Sequence, residues 1–297
     1  MEDTGIKQLS LNDVVQLSGK VKYYDGEIGF ADDIRSVVNL ESVFKVNFVA
    51  MIFCTGGSLS MNVKGVQYNI ETNDGLLIDM QSVVSDISYD AEMNCKIICI
   101  SLNGGITLMT KNVFEAFLRI KQNPVIHFTT HEMKLMNHYY ELACFKIEHP
   151  EVGSHDNETM RTILRAYILD IVASLTHHYG EDHNMSILTQ GDKIFLNFIM
   201  LLAKSNGSQR SVSDYASELC VSPKYLTSIC RKHEGKTASE LIATNTVAHI
   251  KQMLLYSSLS IKEIAFQLGF DNLSFFGKYV KKHLGYSPVN YRKVNGG

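Results

Sequence analysis

The residues best suited to contact chemistry lie near the C-terminal end of the sequence, in two copies of one pattern. Lys224, Thr227, Ser228 and Arg231 fall between apolar positions in the first copy. Ser274, Phe275, Lys278 and Lys281 do so in the second. Lysine, arginine and hydroxyl side chains donate hydrogen bonds to base edges and phosphates, and an aromatic ring suits the methyl of thymine. Alone, Arg231-Lys232 or Lys281-Lys282 reads as a solvated helix end favoured by the dipole. Their recurrence at one place in a repeat turns the reading toward phosphate contact. No catalytic constellation is visible.

The elements that must position these side chains follow from the repeat. Val212, Asp214, Ala216 and Leu219 correspond to Ile261, Glu263, Ala265 and Leu268 at an offset of 49. One extra residue at the turn raises the offset to 50, which matches Leu226, Arg231-Lys232-His233 and Gly235 to Phe276, Lys281-Lys282-His283 and Gly285. Each copy reads as helix, tight turn, helix. Ser211 and Ser260 stand at N-cap positions, with Asp214 and Glu263 at capping-box spacing. Cys220-Val221 and Gly269-Phe270 form the turns. Ser222 then caps a second helix with Pro223 at its first position, and Asp271 is expected at the matching cap. Leu226, Ile229 and Cys230, and in the other copy Phe276, Tyr279 and Val280, are the expected buried positions. Thr237-Ala238-Ser239-Glu240 is a further capping box opening a helix to about Ser257. That helix separates the two units, so two recognition helices are expected in successive major grooves, about 34 Å apart.

Charge divides along the chain in the same sense. The 297 residues carry a net charge of −3. Residues 201–297 hold 13 Lys and Arg against 6 Asp and Glu, and the remainder holds 15 against 25. A basic end on an acidic body is expected when one domain meets phosphates. The composition, 45% hydrophobic and 20% charged, is that of a globular chain. Cys54, Cys95, Cys99, Cys144, Cys220 and Cys230 form no C-x-x-C pair and read as small buried hydrophobes in a reducing compartment. Met1-Glu2-Asp3-Thr4 is acidic and is followed by no signal-type apolar core, and no run reaches the length of a membrane span. A cytoplasmic protein is expected.

Upstream, Val46–Cys54, Leu59–Val63, Val66–Ile70, Gly75–Met80, Val83–Ile87 and Cys95–Leu102 read as strands of a small barrel or double-sheet jelly roll. From about residue 110 the pattern becomes helical. Pro124 ends one helix, Thr130 is placed to cap the next, and a third runs from about Asn157 to Tyr179. Its stripe of Ile163, Tyr167, Ile168, Ile171 and Leu175 has two readings: packing on the strands, or a homodimer seam. Glu181–Gly191 reads as a linker, followed by a helix over Asp192–Lys204. His127/His131 and His177-His178/His183 have spacings compatible with a metal ion, but lone surface or cap histidines are commoner, so no metal or cofactor is assigned.

The C-terminal motifs resemble the DNA-binding domain of the AraC/XylS family of bacterial transcription regulators, over about residues 190–297. The resemblance rests on Asp214-Tyr215-Ala216, Ser222-Pro223-Lys224-Tyr225-Leu226, Gly235-Lys236-Thr237, Ile264-Ala265-Phe266-Gln267-Leu268-Gly269-Phe270, Phe276 and Gly285-Tyr286-Ser287-Pro288-Val289-Asn290-Tyr291-Arg292. It implies that Lys224, Thr227, Ser228, Ser274, Phe275 and Lys278 read bases of a double-stranded DNA operator. Where family members often carry arginines in the linker helix, this chain has Asn245-Thr246-Val247, which removes the basis for phosphate contacts there. The N-terminal half is similar to the cupin-like sensor domain of many members. Its first histidine is His127, beyond the strands, so a His-ligated barrel metal is excluded. The expected architecture is α+β. Residues 1–105 form a cupin-like jelly-roll or barrel, 106–186 a helical dimerisation segment, and 187–297 an all-α double helix-turn-helix domain. The expected function is a regulator, not an enzyme, working as a homodimer with a small-molecule effector and, if an activator, RNA polymerase. A ligand-independent regulator controlled by a protein partner or by abundance is the alternative. A cupin-type enzyme fused to a DNA-binding domain is a more distant one.

Overall fold

The computed structural model describes residues 6–18, 21–24, 26–36, 42–149, 155–179, 188–208 and 210–295. The chain divides into two units, residues 1–186 and 187–297. The first is built on two sheets. One pairs β1 (Lys7–Leu9), β4 (Phe44–Val46), β9 (Val83–Tyr89), β6 (Ser58–Val63) and β7 (Val66–Glu71) in that order. The other pairs β11 (Val125–His127), β8 (Asp74–Ile78), β5 (Val49–Gly56), β10 (Asn94–Ile100), β3 (Ile28–Ala31) and β2 (Lys22–Tyr24).

Side-chain alternation explains why the two sheets differ in sequence. In β6 and β7, Leu59, Met61, Val63 and Ile70 enter the core between the sheets. Ser60 faces Asn69 across the pair, and Asn62 faces Gln67, on the polar side. Such a sheet is buried on one face only. The hairpin between them turns through Lys64 and Gly65, both at positive φ, which matches the twist of the strands. The six-stranded sheet is buried on both faces. Ala50, Ile52 and Cys54 of β5 enter the inter-sheet core, while Met51 and Phe53 enter a second cluster on the other side. That is why Val49–Cys54 reads as a continuous apolar run without alternation, whereas Val46, expected in the same strand, ends β4.

Helices supply that second cluster. They are α2 (Leu102–Leu108), α3 (Lys111–Gln122), α4 (Thr130–Glu148) and α5 (His155–Tyr179), after α1 (Leu11–Ser18) near the start. Thr129, not Thr130, caps α4. Its hydroxyl accepts from the Glu132 N–H, and the Glu132 carboxylate accepts from the Thr129 N–H in return. Pro124 closes α3 but is followed directly by β11, a strand hidden by the helical pattern on both sides, so His127 lies on a strand of the sheet and not beyond the strands. On α5, Met160, Leu164, Tyr167 and Leu175 are buried in the helix–sheet cluster, with Ile163, Ile168, Ile171 and Val172 packed against it. The α5 stripe therefore covers the sheet. Leu169 is an exposed apolar residue on the same helix.

The second unit is helical throughout its described residues: α6 (Gln190–Lys204), α7 (Val212–Glu218), α8 (Pro223–Glu234), α9 (Ala238–Tyr256), α10 (Ile261–Gln267), α11 (Leu273–Leu284) and α12 (Pro288–Asn295). Gln190 and Gly191, placed in the linker from sequence, already belong to α6. The rest of that segment lies outside the described residues, apart from Leu188 and Thr189. No helix among the described residues is long and apolar enough to cross a membrane.

Candidate nucleic-acid interface

Local sequence fixes the helices of the repeat at their ends. The Ser211 hydroxyl accepts from the Asp214 N–H and the Asp214 carboxylate accepts from the Ser211 N–H, opening α7. Ser260 and Glu263 do the same for α10, and Thr237 and Glu240 for α9. The Ser211, Thr237 and Ser260 N–H and hydroxyl groups hold these three carboxyls below their ordinary pKa values, so each stays ionised at its helix N-terminus. Ser222 caps α8 ahead of Pro223. The matching cap of α11 is Asn272, not Asp271. Its side-chain oxygen accepts from the Phe275 N–H at 2.7 Å. Asn272 lies 50 residues after Ser222, so Asp271 is itself the extra residue of the second turn. Gly235 and Gly285 end the two helices in the left-handed region.

The turns superimpose in their bonding. Val221 N–H donates to the Ala216 carbonyl and Phe270 N–H to the Ala265 carbonyl, each at 2.9 Å. The residue before each donor has positive φ: 72° at Gly269 and 55° at Cys220. Glycine meets this geometry freely, whereas Cys220 carries a side chain there. Cys220 is also exposed, a correction to its reading as a buried hydrophobe; a left-handed turn residue points outward. The other five cysteines are buried.

Packing then decides which side chains remain available. Leu226, Ile229 and Cys230 of α8 are buried, as are Phe276 and Val280 of α11, while Tyr279 is half-buried. Burial pushes the Cys230 thiol up to about 12, so it is inert. Ile264, Ala265, Leu268, Phe270, Phe276 and Val280 share a core with Ile250 and Leu254 of α9. The intervening helix thus carries the second unit directly. Lys224, Ser228 and Arg231 are exposed and Thr227 is half-buried. Ser274, Phe275, Lys278 and Lys281 are exposed. The Phe275 ring, 48% exposed, rests 5.9 Å from the Phe270 ring, so its position is supported from below.

One exposed side chain was missed from sequence. The offset of 50 sets Tyr225 onto Phe275, and the two are 47% and 48% exposed. Applying the offset to Phe275 finds it. The Asn245-Thr246 departure also has a structural reason. Both residues are buried, and Asn245 donates to the Leu202 carbonyl of α6 at 3.1 Å. These positions of α9 serve the join to α6. At its other end, Arg292 of α12 donates to the Leu254 carbonyl at 2.9 Å. His233 at the end of α8 stacks on Phe195 and pairs with Asp192 of α6 at 3.1 Å.

A family model described as a helix-turn-helix domain matches residues 215–294. The C-terminal unit carries a helix-turn-helix domain. The chain is 29% identical over 111 residues to the uncharacterized transcriptional regulatory protein YesN of Bacillus subtilis, covering 36% of this chain and 30% of that one. It is 29% identical over 124 residues to the Msm operon regulatory protein of Streptococcus mutans, covering 41% and 44%. It is 24% identical over 107 residues to the transcriptional activator RhaR of Escherichia coli, covering 36% and 38%. The chain thus spans less than half the length of these curated relatives. Among solved structures, ToxT from Vibrio cholerae matches 91% of this chain and 97% of its own at 16% identity, with a TM-score of 0.37. The C-terminal domain of AraT, a response regulator of Geobacillus stearothermophilus, matches 36% and 90% at 26% identity, with a TM-score of 0.34. The matched residues 215–294 run from within α7 to within α12, the part of the chain in which the exposed basic and aromatic side chains recur.

Proposed function

We propose that the chain is a sequence-specific DNA-binding transcription regulator, acting in the cytoplasm and reading double-stranded DNA through α8 and α11. One observation supports this above the others: equivalent faces of two capped helices carry exposed Lys224, Ser228 and Arg231, and Ser274, Phe275, Lys278 and Lys281. In this reading Lys224, Thr227, Ser228, Tyr225, Ser274, Phe275 and Lys278 meet base edges, while Arg231 and Lys281 hold phosphates. The test is anisotropy of the full chain on labelled duplexes. Affinity should fall by about 0.9 log units per log unit of salt for each phosphate neutralised. An affinity indifferent to salt would contradict the phosphate assignments.

The acidic N-terminal unit takes the sensing role in this proposal, answering a small-molecule effector. RNA polymerase is the further partner if the regulator activates. The proposal gives the chain no enzymatic role.

A homodimer belongs to the same proposal, with a changed seam. The α5 stripe is used on the sheet, but α4 carries a second stripe on its outer face. Leu135, Leu142 and Phe145 are 36%, 45% and 58% exposed, and His138 and His149 complete a three-four spacing with them. That is the spacing of a two-helix seam. Phe145→Glu should leave the fold intact, because the ring is exposed, and convert a dimer to a species of the chain mass, 33.4 kDa. Sedimentation of the unmodified chain as a 33.4 kDa species at micromolar concentration would contradict the dimer.

A further inference from the structure

Three metal-ligating side chains from two helices meet within the N-terminal unit. Glu132 stands on the first turn of α4, and His177 and His178 stand on the last turn of α5. One carboxylate oxygen and one ring nitrogen from each histidine all lie within 4.8 Å of one another. His178 Nε2 is 2.8 Å from Glu132 Oε2, across 46 residues of sequence. Glu132 is half-buried, and His177 and His178 are both exposed.

The cluster is held from behind. Glu132 Oε2 accepts the Thr129 N–H and hydroxyl, each at 2.7 Å. These bonds orient the carboxylate; with the His178 contact they all fall on Oε2, so an ion would displace part of this set or bind through Oε1. The negative end of the α5 dipole favours a cation beside His177 and His178, and the positive end of α4 opposes it, so the ligand groups decide.

We propose that Glu132, His177 and His178 form a binding site for a divalent transition-metal ion of the zinc class. Two imidazoles and one carboxylate suit zinc, nickel or cobalt better than magnesium or calcium. A tetrahedral ion sits about 2.0–2.2 Å from each ligand atom. Its ligand atoms then stand a little over 3 Å apart, so the His178–Glu132 contact opens slightly and His177 swings in. Three protein ligands leave the fourth position to water. His127 takes no part: its Nδ1 lies 2.6 Å from Asp74 Oδ1 on β8.

Occupancy pins the start of α4 to the end of α5. Helix α5 ends at Tyr179, and the second unit begins at Ile187. The ion would thus stiffen the last helix of the N-terminal unit just before the covalent connection to the reader. This makes the ion a candidate effector, a consequence that rests on the regulator reading above.

The test uses the chelator-treated full chain, titrated with Co2+ and followed by its visible d–d absorption. Zn2+ is then measured by competition with a chromogenic chelator. One ion per chain at micromolar affinity or better is expected. His177→Ala and His178→Ala should each weaken it by at least about tenfold, and His127→Ala should not. His177 is exposed, so its variant should fold normally. No binding of either ion, or equal affinity in a variant lacking both His177 and His178, overturns the site. Duplex affinity is then compared with and without saturating zinc. A zinc-dependent change in the wild type that is absent in His177→Ala supports the effector role. An unchanged duplex affinity with zinc bound overturns that role alone, while failure to bind any duplex overturns the regulator reading and leaves the metal site standing.

Discussion

Replacing Phe276 with alanine should cost about 3–5 kcal/mol, the range for emptying a buried phenylalanine site. The ring is fully buried and meets Phe270 edge to face at 5.0 Å. It joins α11 to α9 and α10 in one small core. The second helix-turn-helix unit should therefore open locally while the sheets of the N-terminal unit remain protected. Hydrogen exchange of the full-length chain checks this: amides of α10 and α11 should lose protection, and duplex affinity should drop with them. Phe266→Ala is the control. That ring is 82% exposed, so its loss should shift stability by no more than about 0.5 kcal/mol. Equal effects at the two positions would contradict the packing described.

Lys224→Ala and Lys278→Ala should each change base preference at a few positions, by about 1–3 kcal/mol where the side chain reaches a base edge. Both lie toward the N-terminal half of their helices, the part that enters the major groove. Arg231→Ala, nearer the C-terminal end of α8, should weaken all sequences alike and reduce the salt slope by about one. Binding to a randomised duplex library separates these outcomes. A uniform loss for Lys224→Ala would reassign that residue from reading to grip. Tyr225→Ala and Phe275→Ala should act at equivalent positions of the two half-sites.

The helices of the reader were legible in the sequence because their signals are local. Caps, a turn glycine and apolar spacing occur within about 24 residues and then occur again, so each copy interprets the other. The errors came from departures from the register of the repeat. Asp271 and Asn272 can both cap a helix, and the inserted residue lies just there, so sequence alone points to the wrong one. Tyr225 sits between Lys224 and the buried Leu226, where spacing gives no sign of its exposure. In the N-terminal unit the longer strands β5 to β10 were legible from alternation or apolar runs. The strands β1 to β4 and β11 span only three or four residues each, too short to show a period. The use of the α5 stripe depended on a sheet whose outer face is apolar, which no local pattern reveals. Glu132, His177 and His178 likewise meet only because α4 and α5 pack together, and the histidine spacings gave no sign of the carboxylate.

In vitro selection from a pool of random-sequence duplexes, using the full-length chain, tests the central claim most directly. Two recognition helices set by one intervening helix should enrich a bipartite motif whose halves are centred about 10 base pairs apart. Alanine at Lys278 should alter one half, and alanine at Lys224 the other. A pool that remains random after repeated rounds, or a single compact motif unaffected by either substitution, would contradict a two-helix reader.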